Sequence, residues 1–331
     1  MRTLDIGTRV PASVIGLGTW QFGSKEWGYG DDFVERAGEI VRRALDLGVT
    51  FFDSAELYGF GRSERILGEA LGDRREDAVV ATKIFPLLPV APVVEQRAVA
   101  SADRLGVQRL DLYQVHQANP VVRDGTTMRG MAALQRTGLV DQVGVSNYPL
   151  QRWQEAELAL GGPVMTNQVQ YSLVHRDPEQ DLLPWAREQG RVVVAYSPLG
   201  QGVLSGRYTP ENRPQNSVRR ANPLFWPENL ERVVPLVDAL REVGDAHDLT
   251  PAQAALAWVV ARPGVLAIPG ASSVEQLEKN VEAGSVTLAE DEVAALDHAS
   301  AAFRPVGLGE RVRSSVRSRL SRAFGDGPLV R

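Results

Sequence analysis

Four ionisable side chains stand where short apolar runs end. Asp53 closes the run Val49 to Phe52, with Tyr58 shortly after it; Ala78–Thr82 leads into Lys83, and Leu110–Val115 leads into His116. A phenol can hand a proton to an alkoxide forming from a carbonyl, but its ordinary pKa of about 10 makes it a poor acid–base group at neutral pH. A neighbouring ammonium favours the phenolate and lowers that pKa, and a carboxylate paired with the ammonium keeps it charged in a partly buried site. An imidazole nearby can donate a hydrogen bond to the substrate oxygen and orient the carbonyl. Taken singly, a strand-end Asp or Lys is ordinary surface or capping chemistry, a His is a satisfied structural residue, and a loop Tyr is packing. Together at one rim, the four make a proton-handling site in which Tyr58 is the acid, Lys83 and Asp53 tune it, and His116 orients the substrate.

The intervening sequence supplies elements that bring strand ends together. A Leu4–Ile6 strand, a Gly7-Thr8 turn and Val10 predict an N-terminal hairpin plugging the bottom of a barrel. Strands are expected at 14–17, 49–53, 78–82, 110–115, 143–145, 164–168, 192–196 and 265–268, alternating with amphipathic helices. One such helix buries Ala37, Ile40, Val41, Ala44 and Leu45 and leaves through Gly48. Another starts near Ser63, which is expected to cap it. Leu230, Val233, Val234, Val237 and Leu240 are expected to share one buried face. About eight strand–helix units argue a parallel sheet closed into a (β/α)8 TIM barrel, with a long loop after the seventh strand, from Ser197 to about Asn229, and extra helices towards the C-terminus. In such a barrel, residues just past the carboxyl ends of the strands form the functional rim. A doubly wound sheet is disfavoured, because no Gly-x-Gly-x-x-Gly turn follows the first strand.

The sequence resembles the aldo-keto reductases, most closely the branch with bacterial general reductases and potassium-channel β-subunits. The resemblance runs in order through Gly16-Leu17-Gly18-Thr19-Trp20, Asp53-Ser-Ala-Glu-Leu-Tyr58-Gly59, Gly144-Val145-Ser146-Asn147, Gln168, Tyr196-Ser197-Pro198-Leu199 and Ile268-Pro269-Gly270, covering nearly the whole chain. It implies NADPH-dependent reduction of an aldehyde or ketone, a keto-sugar or secondary-metabolite carbonyl included, with Tyr58 as general acid and NADH as the lesser cofactor. It also implies an extended nicotinamide dinucleotide across the barrel mouth: Ser146, Asn147 and Gln168 on the carboxamide and Tyr196 stacked on the ring, with Gly18, Thr19, Trp20 and Asp53 alongside. Ser197, Pro198, Leu199, Gly202 and Arg207 would wrap the pyrophosphate, and by position in the loop Arg219, or its neighbour Arg220, is a candidate second clamp. Gly270, Ser272, Gln276 and Asn280 would receive the phosphate end, where the chain enters a helix at its positive terminus. This chain departs from many family members in carrying Gly270-Ala271 where Lys-Ser is common and Gln276 where arginine is common. Trp20, Trp27, Tyr29, Tyr58, His116 and Gln117 are the expected pocket walls.

Length and composition agree with that reading. A chain of 331 residues with 44% hydrophobic content can form one large barrel domain over 1–331. A net charge of −5 argues against nucleic acid as a partner. The absence of cysteine excludes thiolate metal sites and cysteine nucleophiles, and only four His with no ligand-spaced pair argue against any metal. No run is long enough to span a bilayer and no signal-peptide core opens the chain, so a cytoplasmic location is expected. The expected partner is a small-molecule carbonyl, with homo-oligomerisation open. Residues 304–331 form a basic extension of net +5 against −10 for the remainder, and Val312, Val316, Leu320 and Phe324 recur as in a basic amphipathic helix, expected to pack on the acidic barrel or to be partly disordered, with a membrane-surface or partner-binding role as the alternative. The alternative function is a nicotinamide-binding regulatory or redox-sensing subunit acting through a protein partner.

Overall fold

The computed structural model describes residues 1–23 and 33–307; Trp27, Tyr29 and the tail positions Val312, Val316, Leu320 and Phe324 lie outside them. Strands β1 (Thr3–Leu4) and β2 (Ala12–Ser13) form an antiparallel hairpin. Eight parallel strands follow: β3 (Leu17–Gly18), β4 (Phe51–Asp53), β5 (Val79–Ile84), β6 (Leu110–Val115), β7 (Val140–Ser146), β8 (Thr166–Gln170), β9 (Val192–Tyr196) and β10 (Val265–Ala267), each beside the next. Backbone bonds from Gly16 N to Ala267 O (2.8 Å), Ala267 N to Val14 O (2.8 Å) and Gly18 N to Pro269 O (3.2 Å) join the first strand to the last. The sheet is thereby closed into the expected (β/α)8 barrel. The first wall strand, expected at 14–17, is spread over these bonds and β3, so its pairing with β4 begins only at Leu17.

The period of two along each strand sorts the barrel into inside and outside. Register sets Phe51 beside Val79, Ala81 beside Leu112 and Val194 beside Leu266. These residues join Val192, Ile268, and Ile6 and Ala12 of the hairpin in one buried apolar cluster inside the barrel. Ile6 has no exposed surface, so the hairpin plugs the barrel as expected. The alternate residues, among them Phe52, Val80, Tyr113, Val115, Val143 and Val193, belong to the larger outer core beneath the helices. Above the plug the interior turns polar: Gln114 and Gly144 are paired in register, and Thr166 Oγ1 donates to Gln114 Oε1 at 3.3 Å.

The helices follow the expected faces with two corrections. Phe33–Asp46 buries Ala37, Ile40, Val41, Ala44 and Leu45, and Pro251–Val260 opens on a Thr250/Gln253 capping box. Val234, expected on a buried face, is 47% exposed. The chain there breaks into Pro227–Arg232 and Val234–Asp245, so Val234 starts a new helix that buries Leu236, Val237 and Leu240 instead. Ser63 does not cap the helix Arg62–Leu71; the cap position is Gly61, with φ of 85°, and it offers no side-chain bond. After β9 the chain makes a 3-10 turn (Gly200–Ser205) and a short helix (Ser217–Ala221), and Glu290–Ala302 is an additional helix beyond the barrel. No helix among the described residues is long and apolar enough to cross a membrane.

Gly144 marks how closely the polar interior is packed. A methyl group there would come within 2.3 Å of Thr166 Oγ1 and 2.9 Å of Gln114 Cγ. Gly144→Ala is expected to destabilise the fold by about 1–3 kcal/mol through overpacking, read as a lowered urea midpoint at unchanged m-value.

Candidate active site

The inward alternation that builds the plug continues to the rim and there changes from apolar to charged. Asp53 stands two residues beyond Phe51, Lys83 two beyond Ala81, and His116 two beyond Gln114, so the first two point into the barrel mouth and His116 leaves β6 on the same side. Lys83 has no exposed surface, and its ammonium donates to Asp53 Oδ2 (2.7 Å), to the Ser54 carbonyl (2.7 Å) and to the Tyr58 hydroxyl (3.2 Å). Its three protons thus have three acceptors. Asp53 is equally committed: its Oδ1 accepts from Gln168 Nε2 at 2.7 Å, a bond that crosses the barrel from β8 to the opposite strand β4.

Burial would discharge Lys83, but the Asp53 carboxylate and the Tyr58 oxygen outweigh it and hold its pKa above the ordinary lysine value. The expected lowering of Tyr58 is reversed. Burial raises its hydroxyl above the ordinary tyrosine value, and the Lys83 charge only offsets part of that rise, with Asp53 adding to it. In this state Tyr58 is a neutral phenol carrying its proton, with Lys83 Nζ 4.9 Å from its ring centre. The His116 ring lies edge-on to Tyr58 with centroids 5.8 Å apart. Burial, then the Lys83 charge, depresses His116 to about 3, so its imidazole is neutral. Its Nδ1 is buried with no hydrogen-bond partner among the described residues.

Tyr58 is fixed by backbone contacts that residue type alone does not reveal. The loop carrying it crosses the short helix Trp20–Gly23 so closely that a Cβ at Gly23 would lie 2.5 Å from the Tyr58 carbonyl, and one at Gly59 would lie 2.4 Å from Gly23 O. Ser63 ties the same loop down, donating to Thr19 O (2.9 Å) and accepting from Ser54 Oγ (3.0 Å).

The residues expected to contact a dinucleotide lie around the same mouth. Ser146 Oγ donates to Gln168 O (2.9 Å), Asn147 Nδ2 donates to Ser146 Oγ (3.1 Å), and Tyr196 OH donates to Asn147 Oδ1 (3.0 Å), a polar arc over the ends of β7, β8 and β9. Asn147 and Ser197 take the left-handed backbone, with φ of 57° and 49°. Thr19 is wholly buried, its hydroxyl donating to the Asp53 backbone carbonyl. Gly18 lies against Ile268 O, and Trp20 is 41% exposed, its ring 6.4 Å from that of Tyr58. Pro198 is buried, Leu199 half-buried, and Gln117 and Arg207 exposed. Gly202 has φ of 102°, and Arg219 Nε donates to Gln201 O (2.8 Å) beside it. At the far end Ser272 donates through both N and Oγ to Gln276 Oε1 (2.9 Å each), while Asn280 Nδ2 donates to Gly270 O (3.3 Å).

Comparison with known proteins gives this arrangement a lineage. Residues 14–301 match the model of the Aldo/keto reductase family. The chain belongs to the aldo/keto reductase family. It is 54% identical over 323 residues to an uncharacterized oxidoreductase of Mycobacterium tuberculosis, covering 97% of this chain and 100% of that one. Among solved structures it resembles a glycerol dehydrogenase from Gluconobacter oxydans (TM-score 0.84, 27% identity, 92% and 98% coverage). It also resembles an aldo-keto reductase from Klebsiella pneumoniae in complex with NADPH (TM-score 0.74, 29% identity, 92% and 96% coverage). The protein is accordingly an NAD(P)H-dependent oxidoreductase of the aldo-keto reductase type.

Within this reductase, Gly23, Ser54 and Ser63 escaped the reading of the sequence as contributors to the site. Their only signals were small residue types beside Tyr58 and Trp20, which suit any turn. His116 carries a stability signature. The unfolded chain takes up a proton near the ordinary value of 6.5 and the folded chain only near about 3. Its contribution is therefore complete above 6.5 and is lost as pH falls from there towards 3. The drop in urea midpoint between pH 7 and pH 4.5 is expected to be smaller in His116→Gln than in the wild type. Equal drops would rule out burial of the neutral imidazole as a source of acid sensitivity.

Proposed function

We propose that this reductase converts an aldehyde or ketone to an alcohol with NADPH, Tyr58 giving its proton to the carbonyl oxygen as hydride arrives at the carbon. The observation that carries the reading is the buried ammonium of Lys83, bonded to both Asp53 and the Tyr58 hydroxyl. The reduced nicotinamide, when bound, supplies the hydride. The protein supplies the proton and the charge balance. Tyr58 starts as a neutral acid, and burial keeps it so against the pull of the Lys83 charge. As its proton leaves, negative charge develops on the phenolate oxygen 3.2 Å from the Lys83 ammonium, where it is stabilised most. Asp53 holds that ammonium charged and aimed. His116, neutral at working pH, offers an N–H to the substrate oxygen without placing a second full positive charge beside Lys83.

Ser146, Asn147 and Gln168 would hold the nicotinamide carboxamide, with Tyr196 against the ring. The arc linking them supports this role, since it presents amide and hydroxyl groups from adjacent strand ends at one level. Ser197 to Gly202, Arg207 and Arg219 would follow the pyrophosphate. Ser272 and Gln276 would take the 2′-phosphate: two donors of Ser272 already converge on one point, now filled by the Gln276 carbonyl.

Tyr58→Phe is expected to cut the turnover of NADPH-dependent carbonyl reduction by roughly 10²–10⁴ while NADPH still binds. Loss of less than tenfold would remove Tyr58 from the proton-donor role. The double variant Ser272→Ala with Gln276→Ala is expected to weaken NADPH about tenfold and NADH less than twofold, by fluorescence titration. An equal loss for both would show that this corner does not read the 2′-phosphate.

A further inference from the structure

The loop that carries Tyr58 is bounded by two carboxylates, Glu56 and Glu64, and the proton-donor reading assigns neither of them a part. Both are held by arginines of one helix, Ala91–Leu105. Arg97 Nη1 donates to Glu56 Oε1 at 2.6 Å, and Arg104 Nε donates to Glu64 Oε2 at 2.5 Å. The arginines are seven residues apart, two helical turns, and so share a face. Each carboxylate also accepts a bond from β5 or its immediate continuation: Glu64 Oε1 from Thr82 Oγ1 (2.6 Å), and Glu56 Oε1 from Phe85 N (2.5 Å). Thr82 and Phe85 bracket Lys83 in sequence. The Glu56 amide donates to Lys83 O itself at 3.2 Å.

Such fastening meets a need visible in the backbone. Between the two carboxylates, Gly59, Phe60 and Gly61 are all left-handed, with φ of 59°, 52° and 85°. A non-glycine residue in that region is held there by its surroundings, yet the Phe60 side chain itself is 88% exposed. The restraint comes from the backbone crossing at Gly59 and Gly23 together with the ends of the loop. Gly61 lies against the Arg104 side chain, 2.4 Å from its Cδ if a Cβ were present, and Gly68 brings the following helix to within 2.5 Å of Leu105 O on the same measure. Glu64 has no exposed surface, so its pairing is obligatory.

We propose that Arg97 and Arg104 are positioning residues: mounted on one helix, they clamp Glu56 and Glu64 and so fix the Tyr58 hydroxyl over the Lys83 ammonium. The catalytic part of the inference rests on Tyr58 being the proton donor. Arginine suits the task because its planar fork bonds a carboxylate in a defined direction, and Arg97 uses the same Nη1 to bond Phe85 O at 3.1 Å. The clamp thereby references the loop to the strand of Lys83 rather than to its own helix alone.

The test uses Arg97→Met in the full chain, in the wild-type and Tyr58→Phe backgrounds, with amide hydrogen exchange, steady-state kinetics and NADPH titration. Arg97 is chosen because its partner Glu56 is less buried than Glu64. Exchange over residues 56–64 is expected to accelerate at least tenfold, with peptides of β7 and β8 unchanged. Turnover is expected to fall at least tenfold while NADPH affinity stays within twofold. In the Tyr58→Phe background the same change is expected to cost less than twofold, because a residue acting through Tyr58 then has nothing to position. Arg97→Lys should recover part of the turnover, and Glu56→Gln, which keeps volume and an acceptor, should reproduce the loss in smaller measure if Arg97→Met fails to fold. Unchanged exchange over 56–64, or an equal turnover loss in both backgrounds, overturns the proposal. If the wild type reduces no carbonyl yet loop exchange responds to Arg97→Met, the fastening stands and the proton-donor reading fails. Normal wild-type turnover with neither response fails the clamp alone.

Discussion

A lysine ammonium sealed from water is the constraint on which the site depends. Leaving such a charge without partners in the barrel mouth would cost several kcal/mol, and the structure meets it with Asp53, the Ser54 carbonyl and the Tyr58 hydroxyl. Each partner in turn restricts something larger. Asp53 must sit level with Ala81, two residues short of Lys83, which fixes the register of β4 against β5. The Ser54 carbonyl must turn inward, which bends the chain as it leaves β4. Gln168 must reach across from β8 to the second oxygen of Asp53. The charge is small beside the barrel, yet strands on both sides of the mouth are coordinated around it.

The barrel accommodates this by separating its interior into zones along the axis. Apolar residues from β4, β5, β6, β9 and β10 meet the hairpin residues Ile6 and Ala12 at the floor. Gln114, Gly144 and Thr166 form a tight polar storey above them, and the ionic group lies at the top. The outer faces of the same strands are apolar throughout much of their length and pack beneath helices. One alternation of side chains therefore serves stability outside and chemistry inside.

Much of this was legible in the sequence because it depends on period and residue type. Short apolar runs ending in Asp53, Lys83 and His116 locate strands and rim together, and the hairpin plug follows from Leu4 to Val10. What could not be read depends on distances between residues remote in sequence. Glu56 and Arg97, or Glu64 and Arg104, are about forty positions apart and look like solvated charges on their own elements. Gly23 and Gly59 owe their identity to one backbone crossing another. Ser63 looked like a helix cap because capping is what serine usually does before an apolar run, but its hydroxyl has a nearer acceptor in Thr19 O. The balance at Tyr58 is not readable from the sequence, which names the neighbouring lysine and its lowering effect but not the depth of burial, and burial is the larger effect.

The apolar floor has a consequence for traffic. Among the described residues the floor is built of Ile6, Phe51, Val79, Leu112 and Leu266, none of which carries a side-chain group that could relay a proton. The charged residues Asp53 and Lys83 lie at the opposite end of the same strands, at the mouth. A molecule seated in that mouth would stand between these groups and solvent, with no polar path through the floor to bypass it.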